Sequence, residues 1–281
     1  MPEPQATFAG SIPEYYERFL RPMLFQPYAE DLAARAAALP GPVLELACGT
    51  GILTRNLLPR LPDDAAYSVT DLNPPMIEEA RRRVPEDARI AWRQADMTAL
   101  PFGDGLFGTV VCQFGFMFPP DKAEAFRECR RVLRDGGTLL FNVWTSLDRN
   151  PANIALQRAL DALFPDNPST FLQIPFGFHD QSLITELLQA NGFAGLRIEP
   201  VVLDCRSAHA RDFAIGMVRG TPLANDLSAR GADPEQVIDA AEAELAALGG
   251  REPFCCPMEA LVVQAKAVPA VFQVEWTHGN P

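Results

Sequence analysis

The chain has 281 residues, with 24 basic against 36 acidic side chains and a formal net charge of −12. That balance argues against a general nucleic-acid binder, which needs a broad cationic face to displace counterions from phosphates. Hydrophobic residues at 48% and a mean hydropathy of −0.02 exclude the disordered and fibrous classes, and no apolar run approaches the ~20 residues of a membrane-spanning helix.

A chain of this length can bury roughly three quarters of its unfolded surface, enough for one large domain or one with a sizeable insertion. The start, Met1-Pro2-Glu3-Pro4-Gln5, is polar and acidic and lacks the basic-then-apolar pattern of a signal peptide. Six cysteines at 48, 112, 129, 205, 255 and 256 form no CxxC and sit near no histidine ladder. The expectation is reduced thiols, a cytoplasmic location, and neither a disulfide framework nor a metal site.

The first 145 residues alternate apolar runs with amphipathic stretches. Val43-Leu44-Glu45-Leu46 reads as a strand entering a glycine-rich turn, and Tyr67-Ser68-Val69-Thr70 as a second strand ending at Asp71. Further strands are predicted over 89–93, 106–114 and 138–144. The β-branched run Thr109-Val110-Val111 suits a strand covered on both faces. Asp121 with Glu124 resembles a capping box, followed by Phe126, Cys129, Val132 and Leu133 on one helical face. Arg127, Arg130, Arg131 and Arg134 then read as a solvated face, as does Arg81-Arg82-Arg83. Asp135-Gly136-Gly137 is expected to stop that helix and turn the chain into the fifth strand. Strands alternating with helices imply right-handed βαβ units on a parallel sheet.

After residue 145 the pattern loosens, with prolines punctuating a phenylalanine-rich segment. Asp180 is a candidate N-cap of a helix closed by Asn191-Gly192. A sixth strand is predicted over 196–203 and a seventh over 258–267. Between them, about 206–250 reads as a helical insertion too small for its own core, packing on the sheet as a lid. The expected organisation is an N-terminal helical cap at 1–40, a core at 41–145, and the remainder of the sheet with its lid at 146–281. The fold class is α/β: a doubly wound, mostly parallel seven-stranded sheet with a helical insertion between its last two strands.

Four features along this sheet carry chemistry. The turn Ala47-Cys48-Gly49-Thr50-Gly51 lets backbone approach a ligand closely, although bland strand-to-helix turns share the pattern. Thr54 stands where a dinucleotide fingerprint has its third glycine. Asp71 lies 20 residues beyond Gly51, where a nucleotide-binding unit places a carboxylate for ribose hydroxyls, or where an acid caps the next helix. Asp96-Met97 offers an acceptor for an exocyclic purine amine and an apolar surface for its ring, or is a solvated loop acid beside a core methionine. Gln113-Phe114-Gly115-Phe116 ends the fourth strand at the carboxyl edge, where ligands sit in such sheets.

In this order the stretches VLELACGTG at 43–51, VTDLNPPMIEEAR at 69–81, ADMTALPF at 95–102 and AFRECRRVLRDGGTLLFNVW at 125–144 resemble the class I S-adenosylmethionine-dependent methyltransferases. The nearest likeness is to the ubiquinone/menaquinone biosynthesis methyltransferases, over about residues 30–145. The resemblance implies S-adenosylmethionine as cofactor. Glu45 and the turn Ala47, Cys48, Gly49, Thr50 and Gly51 would face its methionine part, and Asp71 would hold the ribose, with Leu72 and Met76 beside the adenine. Asp96 and Met97 would meet the adenine edge, and Gln113 and Phe114 would lie near the sulfonium. The stretch Ile12-Pro13-Glu14-Tyr15-Tyr16-Glu17-Arg18 is similar to the subgroup's cap, with Tyr16 touching the cofactor. Gly108 departs from the family's usual acidic residue and is expected to loosen a structural contact.

Methyl transfer from a sulfonium is an in-line displacement that needs no enzyme nucleophile. No catalytic base is assigned: His179, His209 and His278 each read as structural, the first two lying near the lid. Phe8, Tyr15, Tyr16, Phe19, Phe25 and Phe176 form either an apolar acceptor pocket or ordinary core. The leading expectation is a methyltransferase acting on a small, apolar or aromatic molecule, with no nucleic-acid or membrane partner and the oligomeric state left open. A nicotinamide dehydrogenase is disfavoured by Thr54. A non-catalytic cofactor-binding protein, or an enzyme using bound cofactor for another reaction, stays open because the acceptor side carries no diagnostic residue.

Overall fold

Each predicted strand becomes a strand of one sheet in the computed structural model, which describes Phe8 and residues 10–269. Residues 1–7 and 9 of the expected cap, and His278, lie outside the described residues. The strands are β1 (Val43–Leu46), β2 (Tyr67–Asp71), β3 (Ile90–Gln94), β4 (Phe107–Gln113), β5 (Leu133–Trp144), β6 (Phe193–Ser207) and β7 (Phe254–Ala267). Their order is β3-β2-β1-β4-β5-β7-β6. The first five pair in parallel, and β7 runs antiparallel to both β5 and β6. The order reverses between β1 and β4, and such a switch point opens a crevice at the carboxyl ends of the strands.

The helices are α1 (Ile12–Tyr15), α2 (Gln26–Ala36), α3 (Ile52–Leu57), α4 (Pro74–Arg83), α5 (Lys122–Val132), α6 (Pro151–Leu163), α7 (Gln181–Ala190), α8 (Ala210–Arg219), α9 (Leu223–Ala229) and α10 (Pro234–Gly249). Period-two alternation sends neighbouring strand residues to opposite faces. Val43, Val69, Val111 and Leu140 meet Leu32, Leu53 and Ile77 on one side. Leu44, Val110, Leu139 and Phe141 meet Phe126, Leu156 and Ile184 on the other. The sheet is therefore covered twice, as its uninterrupted apolar strands require.

Several local expectations are refined. Asp121 caps α5 by accepting from Glu124 N at 2.9 Å, but the Glu124 carboxylate pairs with Arg127 rather than closing the box. The helix ends at Val132, before Asp135-Gly136-Gly137. Those residues form a bulge, with Gly136 at φ +73°, between the Leu133–Phe107 and Thr138–Thr109 pairs. β6 and β7 outrun their predicted lengths because they pair with each other from Phe193–Ala267 to Ser207–Phe254. At Gly108 the contact is tighter, not looser. Its amide donates to the Pro42 carbonyl at 2.9 Å, and a Cβ there would lie 2.4 Å from the Pro40 carbonyl oxygen.

Between α1 and α2 the chain winds as a π-helix, Tyr16–Phe25, around Pro22. Proline has no N–H to give and its ring crowds the carbonyl four residues back, so a wider turn accommodates it. Gln26 N duly bonds Arg21 O, five residues back. The insertion α8–α10 shares the sheet's core through Phe213, Ile238 and Leu245. It is seated on the π-helix by close backbone approach. A Cβ at Gly216 would lie 2.5 Å from Leu20 Cδ2, and one at Gly220 would lie 2.8 Å from Tyr16 N.

The solvated-face reading holds for Arg127 and Arg134, which are exposed, but not for their two neighbours. Arg130 donates to Val268 O at 3.0 Å and pairs with Asp135. Arg131 pairs with Glu128 and Asp104 and donates to the carbonyls of Phe102 at 2.7 Å and Leu100 at 2.9 Å. A long side chain curls over the helix end and clamps the loop that leads from the carboxyl end of β3 into β4. Arg131→Lys keeps the charge but cannot reproduce the forked donors. We expect it to cost about 1–3 kcal/mol in urea unfolding; an unchanged midpoint would show that the loop is held by other means.

Candidate functional site

The site starts from one buried carboxylate. Asp71, at the end of β2, accepts from Gly49 N at 2.8 Å through Oδ2 and from Asn73 N at 2.8 Å through Oδ1. Cys48 N donates to Thr70 O at 2.9 Å, so the turn after β1 is fastened to the end of β2 along two residues. The turn itself needs left-handed backbone at Ala47 (φ +51°), Gly49 (φ +56°) and Gly51 (φ +78°). Glycine accepts this freely; alanine does not. Burial pushes the Asp71 carboxyl up from its ordinary value, with the amides of Asn73 and Gly49 opposing that shift.

A cavity of about 550 Å³ opens at the switch point. Ten of the expected cofactor residues line it: Tyr16, Ala47, Gly49, Asp71, Leu72, Met76, Asp96, Met97, Gln113 and Phe114. Asp96 Oδ1 accepts from Thr98 N at 2.8 Å and from its hydroxyl at 2.7 Å, which fixes the loop after β3. Gln113 donates to Phe25 O at 2.8 Å and ties β4 to the N-terminal helix. Burial raises the Tyr16 phenol, as do the charges of Glu17 and Asp71.

Four expected residues do not line the cavity. Glu45 is sealed on the far side of β1, where its Oε2 accepts from Thr54 Oγ1 at 2.8 Å and from the Tyr67 hydroxyl. Period-two alternation sends its side chain beneath the turn, and Thr54, the departure from the dinucleotide pattern, is its partner. Thr50 turns its hydroxyl to Glu17 Oε2 at 2.8 Å, and Arg55 joins the same carboxylate at 2.9 Å, so these residues anchor the cap. Gly51 makes room for α4, since a Cβ there would lie 2.8 Å from Val84 Cγ2. Cys48 is buried within the turn, its thiol raised by burial and by the charges of Asp71 and Glu45.

The sequence reading also missed walls of the crevice. Asn73, Thr98, Phe118, Pro119, Asp121 and Glu124 line it, beside Gly115 of the expected Gln113-Phe114-Gly115-Phe116 edge. A Cβ on Gly115 would lie 2.7 Å from Ala47 Cβ and 2.5 Å from Cys112 Sγ. The signal was present: the loop from the carboxyl end of β4 to the cap of α5 must cross the same edge.

A second, smaller cavity of about 80 Å³ adjoins the first and shares Phe8, Tyr16, Phe114 and Phe118 with it. Phe114 and Trp144 stack at 4.0 Å, and Tyr16 stacks on Phe25 at 4.6 Å. Phe8, Tyr16, Phe25 and Phe176 thus line an apolar pocket. Tyr15 and Phe19 do not; they stack on each other at 6.1 Å, with Arg219 over Tyr15 and Arg18 over Phe19. His179 Nδ1 bonds Phe176 O at 2.7 Å, and His209 caps α8 and pairs with Glu252. Neither lines either of these two cavities.

Residues 43–137, from β1 into the start of β5, match the family of the methyltransferase domain. An uncharacterized protein of Mycobacterium tuberculosis is 30% identical over 184 residues, 64% of each chain. A demethylmenaquinone methyltransferase of Thermus thermophilus is 42% identical over 115 residues, 40% of this chain and 50% of that one. The chain therefore spans between half and just under two thirds of these curated relatives. The crystal structure of the YcgJ protein of Bacillus subtilis covers 86% of this chain and 99% of its own at TM-score 0.58 and 16% identity, a likeness of fold. The resemblance to the ubiquinone/menaquinone biosynthesis methyltransferases is borne out, and the domain implies use of S-adenosylmethionine. The residues fit that molecule: a narrow slot kept open at Gly115 lies between an acid-bearing edge and an aromatic wall.

Beneath the turn, burial pushes the Glu45 carboxyl up to about 7, against the hydrogen bonds of Tyr67 and Thr54. A raised folded-state value means that the neutral acid is the form the fold favours. Its contribution is complete below the ordinary carboxyl range and is lost as pH rises through 7. The stability difference between wild type and Glu45→Gln, from urea unfolding, should therefore fall by about 2–3 kcal/mol between pH 5 and pH 8. A difference independent of pH would show Glu45 ionised throughout.

Proposed function

We propose that this chain transfers a methyl group from S-adenosylmethionine to a small, largely apolar molecule. The reading rests on one observation: the carboxylate-lined crevice at the switch point adjoins an aromatic pocket through shared walls. Asp71 would take the ribose hydroxyls on the outer lone pairs of a carboxylate already fixed by Gly49 and Asn73. Asp96 and Met97 would receive the adenine edge and face, with Leu72 and Met76 against the ring. Ala47, Gly49 and Tyr16 would hold the methionine end, beside Gln113 and Phe114.

The bound cofactor supplies an electrophilic methyl on a sulfonium. The chain supplies placement. Phe114, Trp144 and Phe25 exclude water from the neighbouring pocket, and well-oriented reactants can gain ~7–11 kcal/mol over free encounter. Among the described residues, the smaller pocket is lined by no carboxylate, histidine, lysine or arginine. The acceptor must therefore bring its own nucleophilic electron pair. Five buried cysteines and a sixth half-buried one, all unpaired, suit the cytoplasm.

Calorimetric titration with S-adenosylmethionine tests the reading. Wild type should saturate, and Asp96→Ala should bind about tenfold or more weakly, the worth of a hydrogen bond to a charged group. Accumulation of S-adenosylhomocysteine with any neutral aromatic acceptor would support transfer. Wild type that never saturates would defeat the proposal.

A further inference from the structure

Asn153, in the first turn of α6, is 4% exposed and lines the smaller cavity. Its backbone amide bonds Asn150 O at 3.0 Å. Its side-chain amide makes no hydrogen bond among the described residues, while its neighbours are fully engaged. Asn150 Nδ2 reaches Thr145, Ser146 and Glu259, and its Oδ1 accepts from Glu259 N at 3.1 Å. Thr221 donates to Met217 O at 2.6 Å and accepts from Leu223 N at 3.2 Å. The amide is therefore not sealed in the core but stands as a donor and an acceptor open to whatever the cavity holds.

Around Asn153 the lining is Phe25, Phe114, Trp144, Phe171, Phe176 and Met217. An ionised group entering here would lose its water and meet no counter-charge. An amide carries both donor and acceptor, so it can satisfy a hydroxyl or a carbonyl equally. We propose that Asn153 is the specificity-determining residue of the acceptor pocket, hydrogen-bonding one neutral polar atom on an otherwise apolar, ring-bearing acceptor. The inference rests on the reading of methyl transfer only in calling the pocket's ligand an acceptor. At about 80 Å³ the pocket is roughly half the ~150 Å³ of a cavity that admits benzene. It takes the polar end of the molecule, and the remainder extends past Phe8 and Phe118 toward the crevice.

Three probes of similar size separate the alternatives: phenol, toluene and benzoate, titrated by NMR into the full chain. Phenol should bind wild type about fivefold tighter than toluene, the typical worth of one neutral hydrogen bond, and benzoate no tighter than toluene. Asn153→Leu, with the same heavy-atom branching and no polar atom, should abolish the preference for phenol. Asn153→Ala, with its melting temperature recorded, repeats the test should leucine disturb folding. Equal affinity of wild type for phenol and toluene, a preference that survives both substitutions, or benzoate binding tightest would each overturn the assignment. Protein that takes up no S-adenosylmethionine yet keeps an Asn153-dependent preference for phenol would overturn the methyl-transfer reading and leave this one standing.

Discussion

The Asp71 carboxylate does two jobs with four lone pairs. Two of them hold Gly49 N and Asn73 N, which fastens the turn after β1 to the end of β2 and sets the floor of the crevice. Asp71 Oδ1 also accepts from Asn73 Nδ2 at 3.4 Å, and the carboxylate lines the cavity. A charge this buried persists only when several donors compensate its lost hydration. The backbone amides that compensate it are those whose placement makes the site, so neither the turn nor the carboxylate is stable in this form without the other. The strain at Ala47, a left-handed residue with a Cβ, is tolerated because that fastening over-determines the loop.

A similar coupling holds the roof. Glu17 on the π-helix accepts from Thr50 in the glycine turn and from Arg55 on α3, and Gln113 donates to Phe25. Leu20 and Tyr16 of the same π-helix are pressed by Gly216 and Gly220 of the insertion. The N-terminal helix is thus a keystone between the carboxyl edge of the sheet and the insertion. The wide turn that Pro22 imposes is what brings Tyr16 and Phe25, nine residues apart, into one stack against Phe114.

The sheet was legible because its signals are periodic. Val43, Val69 and Val111 alternate with Leu44, Thr70 and Val110, and strand ends are marked by Gly49, Asp71, Asp96 and Phe114. The carboxyl-edge rule then places these four around one cavity without any knowledge of side-chain packing. What sequence could not reveal depends on direction and reach. Glu45 falls beneath the turn because its strand position faces away. Thr50 and Gly51 belong to a ligand-like motif but serve the cap and α4. Arg130 and Arg131 lie on a polar helical face yet have stems long enough to reach carbonyls beyond the helix end. Asn153 carries no pattern at all, since a lone asparagine in a helix's first turn is chemically ordinary until its surroundings are known.

The two cavities are opposite in character. One is edged by Asp71, Asp96, Asp121 and Glu124, the other almost wholly by aromatic and aliphatic side chains, and they meet at Phe114. That residue is itself left-handed, at φ +51°, with its amide shared between the backbone and side-chain oxygens of Asn142. The conformation turns the chain sharply at the end of β4, so that the ring stacks on Trp144 while Gly115, the next residue, leaves the slot beside Ala47 open. A residue in the ordinary extended conformation would carry β4 onward and bring no ring back across this edge. The boundary between an acid-edged compartment and an aromatic one therefore runs, beside Phe8, Tyr16 and Phe118, through a left-handed residue whose amide is held by one buried asparagine.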